Sequence, residues 1–304
     1  MIIAITGGTG FVGNLLVEKH LKNGDQVRVL TRKVKSKRKG VKYFIGDLSV
    51  HNINFSNFLN GAQILYHCAG EVNDLILMQE LHVNGTKRLV KSARGKISRW
   101  VQLSSVGAYG KCNTGTISEN STENPDSIYE KTKTESDHIV INSGIPYTIL
   151  RPSIVFANEM PNQSLNELLY LVQKGFFFFI GEKNKFCVNY VHVDDVVDML
   201  FILSTNKRAL GQIFNLSQSI SIEKMIKALR LGNTSKKKIL RLPEIIVRLI
   251  AKIFVWIPKF PLTTSRVDAL TNECIYISKK AEKELGFKFA MTLEERFELF
   301  AKKK

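Results

Sequence analysis

The chain has 304 residues, 44% of them hydrophobic, with four cysteines and a formal net charge of +17. That apolar content supports a substantial buried core, in one large domain or two lobes, and excludes disorder over most of the length. Cys68, Cys112, Cys187 and Cys274 are scattered without a C-x-x-C pair, which argues for reduced, mostly buried thiols and against a zinc site or disulfide framework, while the positive surplus suits an anionic partner without choosing among nucleic acid, lipid and phosphorylated small molecules.

In chain order, residues 2–5 are an apolar run that feeds into glycines at 7, 8, 10 and 13. This reads as a buried strand, a tight turn and a helix start. Gly8, Gly10 and Gly13 satisfy G-x-G-x-x-G, the pattern in which missing side chains let backbone amides approach a pyrophosphate and let helix pack on strand. Gly7, Thr9, Gly10, Phe11, Val12 and Gly13 are therefore the expected dinucleotide cradle, with the positive end of the next helix facing the phosphates. The motif starts at residue 6, so no secretory signal is expected ahead of it, and the reading is cytoplasmic.

Helical spacing predicts a helix over 11–23, capped by Gly24, and a second strand over 27–30. An acidic residue at that strand's end would accept hydrogen bonds from the ribose 2′-OH of NAD. The chain instead has Thr31-Arg32-Lys33, followed by Lys35, Lys37, Arg38 and Lys39. A guanidinium at Arg32 suits a 2′-phosphate, so NADP(H) is preferred and NAD(H) stays open. The remaining charges of residues 33–40 read as a solvated loop. Further strands are predicted over 42–45, 62–69 and 99–103, with a helix running through His82 to Arg94. Strands alternating with helices of this length imply an α/β fold, a Rossmann-type doubly wound parallel sheet whose ligand lies at the strand C-terminal ends.

Ser104 and Ser105 stand at one such end. Tyr129 and Lys133, four apart in a helix predicted over 129–141, share one helix face. A nearby ammonium favours the phenolate, making Tyr129 a serviceable proton donor and acceptor, and Ser105 would hydrogen-bond the reacting oxygen. The set is apt for hydride exchange with a nicotinamide.

These residues resemble the extended short-chain dehydrogenase/reductases, also called the NAD(P)-dependent epimerase/dehydratase family. The likeness covers Thr6-Gly-Gly-Thr-Gly-Phe-Val-Gly13, Gly46-Asp47-Leu48, Ser104 to Gly110, Tyr129 to Lys133 with Glu135, Leu150-Arg-Pro152, Tyr190 to Asp195 and Lys283 to Phe287. The resemblance implies Ser105 as catalytic hydroxyl, Tyr129 as acid/base and Lys133 as the ribose-binding lysine. It also implies that Asp47 and Leu48 contact adenine, that Ala69 lines the cofactor cleft, and that Pro152 and Ser153 lie near the nicotinamide. His192 and Asp195 look structural. His82 stands where members often have Asn, which puts a hydrogen bond near the nicotinamide in question.

By the same resemblance, residues 1–156 form the cofactor-binding domain, with 186–206 returning to it, and 157–304 form a smaller C-terminal substrate-binding lobe. Within that lobe, residues 175–181 carry a four-Phe run bounded by glycines, read as a buried strand in preference to a stacking surface. Val188 replaces the Arg with which many nucleotide-sugar epimerases bind the diphosphate. The segment 242–257, ended by Pro258, is a broadly apolar helix with one polar stripe at Arg241, Glu244, Arg248 and Lys252, near Lys236, Lys237 and Lys238. Packing into the lobe or against a partner subunit is preferred for it. Peripheral membrane contact through 241–258 is the alternative, and a homodimer is allowed. No nucleic-acid motif accompanies the charge.

The functional expectation is an oxidoreductase or epimerase acting on a carbonyl or secondary alcohol of a small-molecule substrate. A nucleotide-activated sugar, handled by a 4-reductase or epimerase, is the first reading. A ketone reductase resembling dihydroflavonol reductases or hydroxysteroid dehydrogenases is the second, and a non-catalytic NADP sensor or assembly factor the third.

Overall fold

The computed structural model describes residues 1–34, 36–50, 55–111, 114–161, 163–230, 238–254, 256 and 262–303. Lys35, Cys112, Lys236, Lys237 and Pro258, discussed above, lie outside the described residues, as do positions 255 and 257 of the apolar segment.

β1 (Ile2–Thr6) leads through the glycine turn into α1 (Phe11–Lys22), followed by β2 (Gln26–Thr31), β3 (Val41–Ile45), α2 (Ser56–Leu59) and β4 (Ile64–His67). α3 (Leu75–Met78) runs into a π-helical stretch, Gln79–Gly85, and on into α4 (Thr86–Ala93). Then come β5 (Arg99–Leu103), a 3₁₀ turn at Val106–Tyr109, β6 (Thr114–Ile117), α5 (Ile128–Ile141), β7 (Tyr147–Pro152) and β8 (Ile154–Phe156). The later elements are α6 (Ser164–Lys174), β9 (Phe179–Ile180), β10 (Cys187–His192), α7 (Val193–Thr205), β11 (Gln212–Leu216), β12 (Gln218–Ser221) and α8 (Ile222–Arg230). β13 (Arg241–Leu242), α9 (Glu244–Ile253), α10 (Thr264–Leu270), β14 (Glu273–Tyr276), α11 (Lys279–Leu285) and α12 (Leu293–Lys302) follow.

Seven strands form one sheet in the order β11-β7-β5-β4-β1-β2-β3, every pair parallel. Its strands are apolar on both faces because helices cover both. Ile3 and Ile5 face one core with Leu16 and Val17 of α1 and Val196, Met199, Leu200 and Leu203 of α7. Ala4 and Leu65 face the other, with Leu59 of α2, Leu89 and Val90 of α4 and Val140 of α5. Strand order reverses between β1 and β4, so the crevice at their C-terminal ends is the topological switch point where such sheets bind ligands.

Of segment 186–206, Val191 and α7 pack on the large sheet, whereas Phe186, Val188 and β10 belong to the second core; β11 forms the edge of the large sheet beyond β7. A second core lies around the three-stranded sheet β12-β10-β8 with α6, α8 and α12. The Phe run departs from a buried strand. Gly175 ends α6 in the left-handed conformation (φ 76°), Phe176 is 70% exposed, and only Phe179–Ile180 pair, with the two-residue β13. The partner strand stops at Leu242 because Pro243 follows, beginning α9, which spans Glu244–Ile253 and is shorter than the predicted 242–257.

Candidate active site

The glycine turn is tight for identifiable reasons. Gly7 has φ 69°, and a Cβ there would lie 2.6 Å from the Ala69 amide nitrogen; one on Gly13 would lie 2.2 Å from the Gly7 carbonyl oxygen. At Gly10 the nearest atom would be the Gly7 carbonyl oxygen at 3.2 Å, so its outer side stays open. α1 then starts without a side-chain cap and with no acid in its first turn. Its leading amides and positive dipole end are therefore suited to an anion.

Gly7, Thr9, Gly10, Thr31, Arg32, Asp47, Leu48 and Ala69 line one cleft of about 210 Å³ at the switch point. Arg32 stands exposed at its rim, and Asp47 accepts from the Ser49 amide (2.9 Å) and hydroxyl (2.7 Å). Pro152 ends β7 and Ser153 follows it; both are buried, and the Ser153 hydroxyl finds no partner among the described residues. The open glycine, the uncapped helix start and this orphaned hydroxyl fit a dinucleotide. Phe11 and Val12 turn their side chains elsewhere, into the two cores flanking the turn. A larger cleft of about 760 Å³ lies beyond Phe11, between the start of α1 and α12; it holds none of Ser105, Tyr129 and Lys133.

Ser105 follows β5 and caps the 3₁₀ turn, its hydroxyl accepting from the Gly107 amide (3.0 Å). α5 opens with a reciprocal capping box between Ser127 and Glu130, which sets Tyr129 in its first turn. A Cβ on Gly107 would lie 2.8 Å from Glu130 Cγ, so the Ser105 loop packs directly on that turn. Burial raises the Tyr129 pKa, and a hydrogen bond with the Ser105 side chain pulls it back down. Lys133 donates to the Leu103 carbonyl (2.6 Å), and burial lowers its pKa against the pull of Asp137. Ser105 is thus a group that favours the charged form of the phenol.

Below these residues lies a hydrogen-bonded floor. His82 Nε2 accepts from the Glu71 amide (2.9 Å), so its proton sits on Nδ1 and is donated to Thr132 Oγ1 (2.9 Å), whose hydroxyl donates to the Tyr129 carbonyl (3.1 Å). The ring meets Tyr129 edge-on at 5.8 Å. Thus His82 does make hydrogen bonds at this place, to the loop after Ala69 and to α5. His67 lies between Thr6 Oγ1 (2.7 Å) and Thr86 Oγ1 (3.0 Å), and Thr86 in turn donates to the His82 carbonyl. Burial drives both histidines to a pKa of about 3, so both are neutral.

A buried ion cluster braces α5 from behind. Arg151 Nε and Nη2 donate to Asp137 Oδ2 (3.1 and 3.0 Å), Nη2 also reaches Glu123 (2.5 Å), and Ser104 Oγ donates to Asp137 (2.7 Å). These carboxylates hold the guanidinium protonated, while burial pushes the Asp137 carboxyl upward against Arg151 and Lys133. Asp137→Asn removes the counter-charge but keeps an acceptor, so unfolding in urea should show a loss of about 3 kcal/mol, the lower end for a broken buried pair. A change below about 1 kcal/mol would mean that Glu123 alone suffices. Among the described residues no group of three His, Cys, Asp or Glu is placed to hold a metal. Cys68, Cys187 and Cys274 are thiols outside any disulfide, and burial raises the Cys68 pKa to about 12.

The sequence pattern of the NAD dependent epimerase/dehydratase family matches residues 3–217. A UDP-glucose 4-epimerase from Vibrio cholerae is 26% identical across 97% of this chain and 93% of its own length. The human sterol-4-alpha-carboxylate 3-dehydrogenase, decarboxylating, is 25% identical across 64% of this chain and 54% of its own. Among solved structures, a UDP-glucuronic acid 4-epimerase from Bacillus cereus in complex with NAD superposes with a TM-score of 0.75 over 98% of this chain and 96% of that one, at 19% identity, a likeness of fold.

Proposed function

The chain belongs to the NAD dependent epimerase/dehydratase family, enzymes of the extended short-chain dehydrogenase/reductase type, and from that premise we propose that Ser105, Tyr129 and Lys133 carry its reaction on a carbonyl or secondary alcohol. The observation that supports this most is the packing of the Ser105 loop directly on the first turn of α5, which brings Ser105 and Tyr129 together above the buried Lys133 at the C-terminal end of β5. Gly7 to Gly13, Thr31, Arg32, Asp47, Leu48, Ala69, Pro152 and Ser153 would hold the cofactor, with residues 1–156 and 186–206 as its domain and the rest of 157–304 shaping the substrate. Bound there, a nicotinamide supplies or accepts the hydride. Tyr129 moves the proton at the substrate oxygen, Ser105 hydrogen-bonds that oxygen, and Lys133 holds the ribose from α5. A non-catalytic sensor would have no need of this set.

For the substrate, the relatives and the polar geometry point in different directions. The near full-length likeness to a UDP-glucose 4-epimerase favours a nucleotide sugar. Against it, Val188 is buried, and Arg241, Arg248 and Arg266 are each paired with a carboxylate: Glu223, both Glu244 and Asp268, and Glu167. This favours an uncharged ketone or alcohol. A screen of UDP-sugars and hydrophobic ketones with NADPH and NADH separates the readings: a reductase consumes reduced cofactor mole for mole, an epimerase converts the sugar without net consumption. Turnover of neither class would count against a redox role at this site.

We also infer a preference for NADP(H) from Arg32 at the cleft rim and from the sequence Thr31-Arg32-Lys33, without an acidic residue, at the end of β2. Arg32→Ala should weaken NADPH binding about tenfold, the scale of one charge-assisted contact, and leave NADH within about twofold. Equal affinities for the two cofactors in the unaltered protein, measured by fluorescence titration, would reject the preference.

A further inference from the structure

α9 is left half covered. Val247 and Ala251 are buried against Ile180 and Val267, whereas Ile245, Ile246, Leu249 and Ile253 are 83%, 48%, 57% and 52% exposed. At 100° per residue, Ile245, Leu249 and Ile253 fall within about 80° of one another, with Ile246 at one edge and Lys252 at the other. Beyond the two ends of the helix, Leu240 (70% exposed) and Trp256 (74% exposed) are further exposed apolar side chains. A contiguous apolar patch of this kind marks an interaction surface.

Charge selects the occupant. The acidic groups beside the stripe are neutralised within the fold, since Arg248 binds both Glu244 and Asp268 at 2.7 Å and Lys111 adds a third contact to Asp268 at 3.3 Å. Lys238 and Lys252 stand exposed at its two ends and form no ion pair among the described residues, on a chain of net charge +17. An apolar stripe rimmed by ammonium groups matches an anionic bilayer surface, with aliphatic side chains at the acyl boundary and lysines at the phosphates. A second copy would set like charge against like. No described helix is long and apolar enough to cross a membrane, so contact would be in the plane of the surface.

We propose that α9, with Leu240 and Trp256, seats the chain on anionic lipid bilayers as a peripheral anchor. Through Asp268, which joins Arg248 to Lys111, the anchor is linked to the segment that follows the Ser105 loop. The anchor does not depend on the catalytic reading.

The test uses the full chain with phosphatidylcholine vesicles, with and without phosphatidylglycerol, at low salt. Sedimentation with the anionic vesicles is expected, falling about tenfold or more for Ile245→Asp combined with Leu249→Asp, and also for Lys238→Glu combined with Lys252→Glu. All four side chains are solvent-facing, so the fold, followed by near-UV circular dichroism, should be retained. The two tryptophans give a second readout: Trp100 is fully buried and Trp256 is exposed, so a blue shift on adding vesicles reports Trp256 entering lipid. The shift should vanish in Trp256→Phe. No sedimentation with anionic vesicles, sedimentation unaffected by the aspartates, or an unshifted emission would overturn the proposal. A dimer in solution that the aspartates convert to monomer, without vesicle binding, would assign the face to a second copy instead.

Discussion

Tyr129→Phe should lower turnover by about 10²- to 10⁴-fold, the usual contribution of a positioned acid/base group, while leaving cofactor affinity unchanged. The substitution removes one hydroxyl and little else. The ring keeps its edge contact with His82, and the capping box that places it is made by Ser127 and Glu130. Because burial raises the phenol's pKa, the group is protonated near neutrality and can give a proton to a substrate oxygen that receives hydride. Phenylalanine has no proton to move. Cofactor contacts proposed for the glycine turn, Arg32 and Lys133 are untouched, so a fluorescence titration with NADPH should match the unaltered protein. Unchanged turnover would remove Tyr129 from the chemistry, and lost cofactor binding would mean that the phenol helps hold the nucleotide.

Much of the central sheet was legible because its pattern is local. Strands over 99–103 and 42–45, and helices over 11–23 and 129–141, appear within a residue or so of the predicted bounds, since apolar periodicity and a capping residue fix each without help from the rest of the chain. What was missed depends on distant partners. Helical periodicity through His82 gave no hint of the π-helical stretch, whose reason is tertiary: a Cβ on Gly85 would lie 2.9 Å from the Leu48 carbonyl oxygen, and His82 must reach both Glu71 and Thr132. β11 shows only an ordinary apolar strand, and its place at the sheet edge depends on register with β7.

The candidate site divides in the same way. Tyr129 and Lys133 share a helix, so their spacing announced them. Asp137 and Arg151 are on different elements, yet a signal existed, because Arg151 interrupts the otherwise apolar stretch of β7 and a buried guanidinium requires an acid. The apolar face of 242–257 was visible; that the fold buries Val247 and Ala251 and leaves Ile245, Leu249 and Ile253 exposed was not. Periodicity states which residues share a face, and only packing decides what covers it.

Acid should destabilise the fold well above the range in which carboxylates titrate, and His67 and His82 give the reason. Both rings have their pKa lowered from 6.5 to about 3 in the folded chain. Below pH 6.5 the unfolded chain therefore binds protons that the folded chain refuses. The sign follows: stability is greatest above about pH 6.5 and falls with acidification through the window down to about pH 3, by about 1.4 kcal/mol per pH unit for each ring. At pH 5 the two together amount to about 4 kcal/mol, a large share of a typical stability. Burial lowers the His20 pKa as well, which acts in the same direction. Urea unfolding between pH 7 and pH 5 measures the effect; Asp137 and Asp195, whose carboxyls burial pushes upward, act in the opposite direction. Replacing His67 by Gln and His82 by Asn keeps hydrogen-bonding groups toward Thr6 and the Glu71 amide but removes the protonation. The double variant should lose most of the slope, with a smaller remainder from His20. A flat profile for the unaltered protein would show that both rings accept a proton without loss of structure. Since Thr132 joins His82 to the backbone of Tyr129, the proton would then enter at the floor of the proposed catalytic site.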